Sequence, residues 1–78
     1  MPENVRRETL EKRIGREIKA VRNSRQMTLA ELAAVSGVSL SMLSKIENGV
    51  ISPSLTTLGR LSQALEIGLS TLFIPYDE

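Results

Sequence analysis

The amino-acid sequence predicts an all-α fold, a compact bundle of five helices. Apolar residues recur along the 78-residue chain at spacings of three and four, and no stretch alternates apolar and polar residues over the length of a strand. Aromatic residues make up only 3% of the composition, so Leu, Ile, Val and Ala must supply the core, which suits short, closely packed helices. A chain of this length is expected to fold as one domain, residues 1–78.

The first helix is predicted over roughly residues 8 to 25. Its apolar face carries Leu10, Ile14, Ile18 and Val21. The sequence leaves its start open, because Lys12, and not Glu or Gln, stands three residues after Thr9 and no capping box forms.

The second helix begins with a clear signal. The Thr28 hydroxyl can accept a backbone N–H, and Glu31 three residues later can reach back, which is a capping box. The buried stripe is predicted to be Leu29, Leu32 and Ala33. Gly37 permits the left-handed conformation that ends a helix.

Two further helices follow, each with a serine at its start. Ser39 is predicted to cap a third helix with Leu43 and Ile46 inward, ended by Asn48 and Gly49. Ser54 is predicted to cap a fourth helix, and its inward side chains are expected to be Leu55, Leu58, Leu61 and Leu65. Gly59 within that helix costs about 1 kcal/mol relative to Ala. A final short turn over residues 70–73 follows Gly68 and stops at Pro75.

The composition argues against an enzyme and against a metal or cofactor site. The chain has no His and no Cys, which removes the commonest general base, the commonest metal ligand and any Ser-His or Cys-His pair. No apolar run approaches the roughly 20 residues of a membrane span, and the first residues do not resemble a signal peptide. We therefore expect a soluble, cytoplasmic protein with no membrane partner.

The basic residues are concentrated at one end. Eight of the ten lie at or before Arg25, and the net charge is only +1. This asymmetry fits either a polyanionic partner or a solvated helix face, since acidic residues are interleaved.

Residues 28–49 have the organisation of a helix-turn-helix: two short helices joined by a tight turn at Gly37. In such a motif the second helix can enter a DNA major groove. The side chains left outward on it are Leu40, Ser41, Ser44, Lys45 and Asn48.

The run LAELAAVSGVSLSMLSKIENG resembles the helix-turn-helix core of phage-repressor-like (Cro/C1-type) regulators, the XRE family, whose fold is that of the lambda repressor. The similarity extends over about residues 10 to 74. The sequence around Pro53-Ser54-Leu55 and Leu72-Phe73 is similar to that of family members in which this domain precedes a cupin sensor domain.

The resemblance implies a sequence-specific regulator of transcription, most simply a repressor that binds a palindromic operator in double-stranded DNA as a homodimer. It implies base contacts from Leu40, Ser41, Ser44 and Lys45. It implies phosphate contacts from Thr28, Ser39, Asn48 and Ser54. It also implies a structural pair between Arg22 and Glu47 that ties the recognition helix to the scaffold. Leu29 and Gln26 depart from the family pattern, where Gln and Gly are common.

Several alternatives stay open from the sequence. Ser44 is either a groove contact or a small spacer, and Ser39 serves more as a cap than as a base reader. Ile74 and Tyr76 are predicted to form the dimer interface, although terminal apolar residues can also close a small core. The rival function is a protein-binding module, such as an antitoxin that acts through its apolar C-terminal end.

Overall fold

The computed structural model describes residues 9–73. Its elements are α1 (Leu10–Ser24), α2 (Leu29–Ser36), α3 (Leu40–Glu47), α4 (Leu55–Leu65) and a 3₁₀ helix (Leu69–Phe73), with no strand among these residues. The prediction of an all-α fold is confirmed, but the fifth element is a 3₁₀ helix and not an α-helix. In this turn the Thr71 N–H donates to the Gly68 carbonyl, three residues earlier, at 2.9 Å, which is the bond of a 3₁₀ helix.

Each of the four α-helices within residues 9–73 begins at a hydroxyl N-cap. The cap oxygens of Thr9, Thr28, Ser39 and Ser54 accept the backbone N–H groups of Lys12, Glu31, Met42 and Thr57 at 3.0 to 3.1 Å. The predicted caps at Thr28, Ser39 and Ser54 are thereby confirmed. Thr9 caps α1 without a capping box, so the helix begins at Leu10.

The helix ends are less uniform. Gly37 ends α2 in the left-handed conformation at φ +76°, as predicted. Gln26 after α1 and Glu66 after α4 adopt the same conformation at φ +58° and +60°. A residue with a side chain pays roughly 1–2 kcal/mol to adopt this conformation. Gln26, which stands where glycine is common in the family, is therefore a site of backbone strain.

The core is formed by apolar side chains from every helix. Fully or nearly fully buried are Ile14, Ile18, Leu32, Val38, Leu43, Ile46, Leu58, Leu61, Leu65 and Leu72. The inward assignment of Leu55 is wrong, because its side chain is 69% exposed. Leu55 is the first residue of α4, where side chains lean toward the helix N-terminus, and it lies at the edge of the stripe that the other leucines form.

The close approach of α1 to α3 depends on Gly15. This residue is buried in the middle of α1, and a Cβ built there would lie 2.8 Å from the Glu47 carbonyl oxygen and closer still to that of Ile46. Real Cβ atoms do not approach backbone oxygens so closely, so α3 can lie against α1 at this distance only because residue 15 is glycine. α2 packs mainly against α4.

The axes of α2 and α3 are bent by 116° relative to each other. Helices of a helix-turn-helix cross at about 90–120°. No single helix within residues 9–73 is long and apolar enough to cross a membrane; α2 and α3 taken as one bent pair meet that test, by length and composition alone.

Candidate nucleic-acid interface

The turn between α2 and α3 is held by a serine that sequence reasoning missed. Ser36 is buried; its Oγ accepts the Val38 N–H at 3.2 Å and donates to the Ala33 carbonyl at 3.4 Å. The Gly37 N–H donates to the same carbonyl at 3.0 Å. These bonds set the angle at which α3 leaves the scaffold. The available signal was a serine directly before the helix-ending glycine.

α3 has one buried face and one open face. Leu43 and Ile46 are completely buried. On the other side, Ser41 and Lys45 are exposed one helical turn apart, and Leu40 at the start of the helix is 51% exposed. The structure therefore leaves these three predicted base-contacting side chains exposed on α3.

The other serines of α3 have more restricted environments. Ser39 is exposed, but its hydroxyl oxygen already accepts the Met42 N–H at 3.1 Å. Ser44 is only partly exposed. Met42, which the sequence analysis did not single out, is 42% exposed and adds an apolar side chain beside Ser41.

The start of α2 presents free backbone donors. The capping box is complete, with the Glu31 N–H on Thr28 Oγ1 at 3.0 Å and the Thr28 N–H on Glu31 Oε1 at 2.8 Å. The first N–H groups of a helix have no intrahelical acceptor, so those of Leu29 and Ala30 still point out of the helix end. The Thr28 hydroxyl keeps its hydrogen for an external acceptor.

A second set of donors lies between α3 and α4. The Asn48 amide donates one hydrogen to the Ser44 carbonyl at 2.9 Å and retains the other. The Ser54 hydroxyl accepts from Thr57 N–H and donates to Thr57 Oγ1 at 3.0 Å, so its only hydrogen is already engaged. The donors left at the start of α4 are backbone N–H groups, together with the positive end of the helix dipole.

Arg22 and Glu47 form a bidentate ion pair between α1 and the end of α3. Arg22 Nε donates to Glu47 Oε2 at 2.7 Å and Nη2 donates to Oε1 at 2.9 Å, with the side chains only 10% and 5% exposed. Nη1 donates to the Met27 carbonyl at 2.8 Å, a third bond that the sequence did not indicate. The hydrogen bonds that Arg22 donates to the Glu47 carboxylate raise the pKa of Arg22, and burial opposes this. The arginine is thus committed to fixing α3 and the α1–α2 loop.

The predicted dimer interface and the question of a metal site remain to be placed. Ile74 and Tyr76 lie outside the residues that the structure describes. Within residues 9–73, no three carboxylate, imidazole or thiol side chains are grouped so that they could hold a metal ion.

Comparison with known proteins gives a consistent result. Residues 18–72 match the family model described as helix-turn-helix. The chain is 46% identical over 61 residues to the HTH-type transcriptional regulator SlrR of Bacillus subtilis, covering 77% of this chain and 40% of that protein. It is 39% identical over 59 residues to the immunity repressor protein of Bacillus phage phi105, covering 76% of this chain and 41% of that protein. The chain thus spans about two fifths of the length of these curated relatives.

A solved structure shares the fold. The restriction-modification controller protein C.AhdI of Aeromonas hydrophila superposes with a TM-score of 0.77 at 27% identity. The alignment covers 80% of this chain and 94% of that one.

Proposed function

Because the chain belongs to the helix-turn-helix family of XRE-type regulators, we propose that it binds double-stranded DNA and regulates transcription, with α3 as the recognition helix. The observation that carries the proposal is the two-sided character of α3. Leu43 and Ile46 anchor it without any exposure, whereas Leu40, Ser41 and Lys45 share the open face. The family is one of regulators and not of enzymes, and no catalytic step is proposed.

Readout of sequence falls to the open face of α3. A lysine donates to guanine O6 or N7, a serine can donate or accept, and a leucine can contact only apolar groups such as a thymine methyl. We assign these roles to Lys45, Ser41 and Leu40. Because Ser44 is only partly exposed and its side chain is short, we assign it a contact only with a base edge that approaches α3 closely.

Phosphate contacts would position α3 in the groove. At the start of α2, the Thr28 hydroxyl and the adjacent free N–H groups face outward. Between α3 and α4, the remaining amide hydrogen of Asn48 and the first backbone N–H groups of α4, which follow Ser54, also face outward. Ser39 supplies a further contact at the start of α3. Backbone donors at a helix N-terminus bind a phosphate without a basic side chain.

We further propose that the chain acts as a homodimer on a palindromic operator and represses transcription. One recognition helix reads few base pairs, whereas twofold pairing places two of them in successive major grooves about 34 Å apart. The name of the phage relative, an immunity repressor, supports repression. The interface assigned to Ile74 and Tyr76 rests on sequence alone; Ile74→Asp with Tyr76→Ser should yield monomer in sedimentation while the helical circular-dichroism signal is kept.

The test of DNA binding is selection of duplexes from a random pool. A palindromic motif with about 34 Å between half-site centres is expected. Lys45→Ala should relax the preference at one position of each half-site, whereas Ser54→Ala should weaken all duplexes alike through the cap of α4. An unchanged motif for Lys45→Ala would remove that residue from readout. A parent chain that enriches no duplex would contradict the proposal and favour a protein-binding module such as an antitoxin.

A further inference from the structure

The connection from α3 to α4 has no cation of its own. Between Lys45 and Arg60 the sequence contains no Lys or Arg, so Asn48, Ser54 and the backbone supply only neutral donors. Protein–DNA affinity comes largely from cations that displace the counterions of the phosphates. Any cation on this side of the interface therefore comes from another element that reaches it.

The element that reaches this connection is α1, and it does so through Lys12. Gly49 directly follows the C-cap Asn48, and a Cβ on Gly49 would lie 2.9 Å from Lys12 Cα and 3.2 Å from Lys12 Cβ. The backbone of Lys12 is held by its N–H bond to Thr9 Oγ1 at 3.1 Å. Its side chain is exposed, and its ammonium makes no ion pair or hydrogen bond in the part of the chain that the structure describes.

Local structure gives no reason for a lysine at this position. Lys12 is the third residue of α1, where a Glu or Gln would complete a capping box with Thr9 and a cation opposes the helix dipole. The Lys12 ammonium is also not needed as a donor to the last carbonyl groups of α3. The carbonyls of Ser44, Lys45 and Ile46 already accept from the N–H groups of residues 48, 50 and 49.

We propose that Lys12 binds a DNA phosphate beside the connection between α3 and α4, next to the one assigned to Asn48. The inference rests on the proposed function and adds to it a cation from α1. Its flexible four-carbon stem leaves from a fixed backbone position against Gly49, so the ammonium can reach a phosphate at the rim of the groove that α3 enters.

The test compares Lys12→Gln with the parent chain on the selected duplex over a series of salt concentrations. Loss of one phosphate contact should lower the slope of log K against log salt by about 0.9 per chain and weaken binding about eightfold per chain at 0.1 M salt. Arg60→Gln on exposed α4 surface is the matched control for loss of one charge and should keep the parent slope. Lys12→Arg should keep it too.

Thermal melting separates this role from a structural one. Lys12→Gln creates the capping-box pattern with Thr9, so its melting temperature should equal or exceed that of the parent while its DNA binding weakens. A parent slope retained in Lys12→Gln would overturn the inference and leave the proposed function intact. A parent chain that binds no duplex would overturn both.

Discussion

The same substitution at two glycines should change stability in opposite directions. Gly15 lies inside α1 and Gly59 inside α4, and each interior glycine costs its helix about 1 kcal/mol relative to alanine. Nothing lies within 4 Å of a Cβ built on Gly59. Gly59→Ala should therefore stabilise the chain by about 1 kcal/mol.

At Gly15 the new methyl group meets main-chain atoms. The added Cβ would lie 2.8 Å from the Glu47 oxygen and 2.9 Å from the Glu47 carbonyl carbon, and neither can rotate away. Overpacking costs about 1–3 kcal/mol, and rigid backbone neighbours favour the upper end. After the gain of about 1 kcal/mol in helix propensity, Gly15→Ala should lose about 2 kcal/mol net.

The measurement is the melting temperature of the parent and both variants by far-ultraviolet circular dichroism. At about 4–8 °C per kcal/mol for a domain of this size, Gly15→Ala should melt about 8–16 °C below the parent and Gly59→Ala about 4–8 °C above it. A Gly15→Ala chain as stable as the parent would refute the argument that α1 and α3 meet through this glycine. Loss of stability in Gly59→Ala would mean that its surroundings are not open.

Three further substitutions test single contacts. Glu47→Ala should cost about 3 kcal/mol, because Arg22 would remain nearly buried without its carboxylate, and an unchanged melting temperature would contradict the pairing. Gln26→Gly should stabilise the chain by about 1 kcal/mol in denaturant unfolding by relieving the left-handed strain at φ +58°, and no gain would mean that the strain is absent. The Ser52 hydroxyl donates to Glu11 and lowers the pKa of that carboxyl below its ordinary value of 4.5, so Ser52→Ala should raise it in a carboxyl NMR titration. Because the folded pKa is depressed, the stabilisation from this bond is present above pH 4.5 and is lost as the pH falls through the folded pKa; a Glu11 pKa unchanged in Ser52→Ala would exclude the bond.

The placement of the readout face shows how far sequence reasoning can reach. The period of Leu43 and Ile46 identifies the buried side of α3, and Ser41, Ser44 and Lys45 then lie on the other side by helical geometry alone, with Leu40 at the border. Ser44 stayed ambiguous because its partial exposure depends on the neighbouring elements and not on the helical period.

The boundaries of α2 were determined by the sequence itself, because caps act between residues three or four positions apart. Thr28 with Glu31, and Gly37 after α2, set the start and end of that helix without help from the rest of the fold. The tertiary structure alone decided where chain segments distant in sequence meet. The need for glycine at residue 15 and the contact of Lys12 with Gly49 both follow from how closely and at what angle the helices cross. Such crossings depend on the packing of the whole core, which no short window of sequence contains.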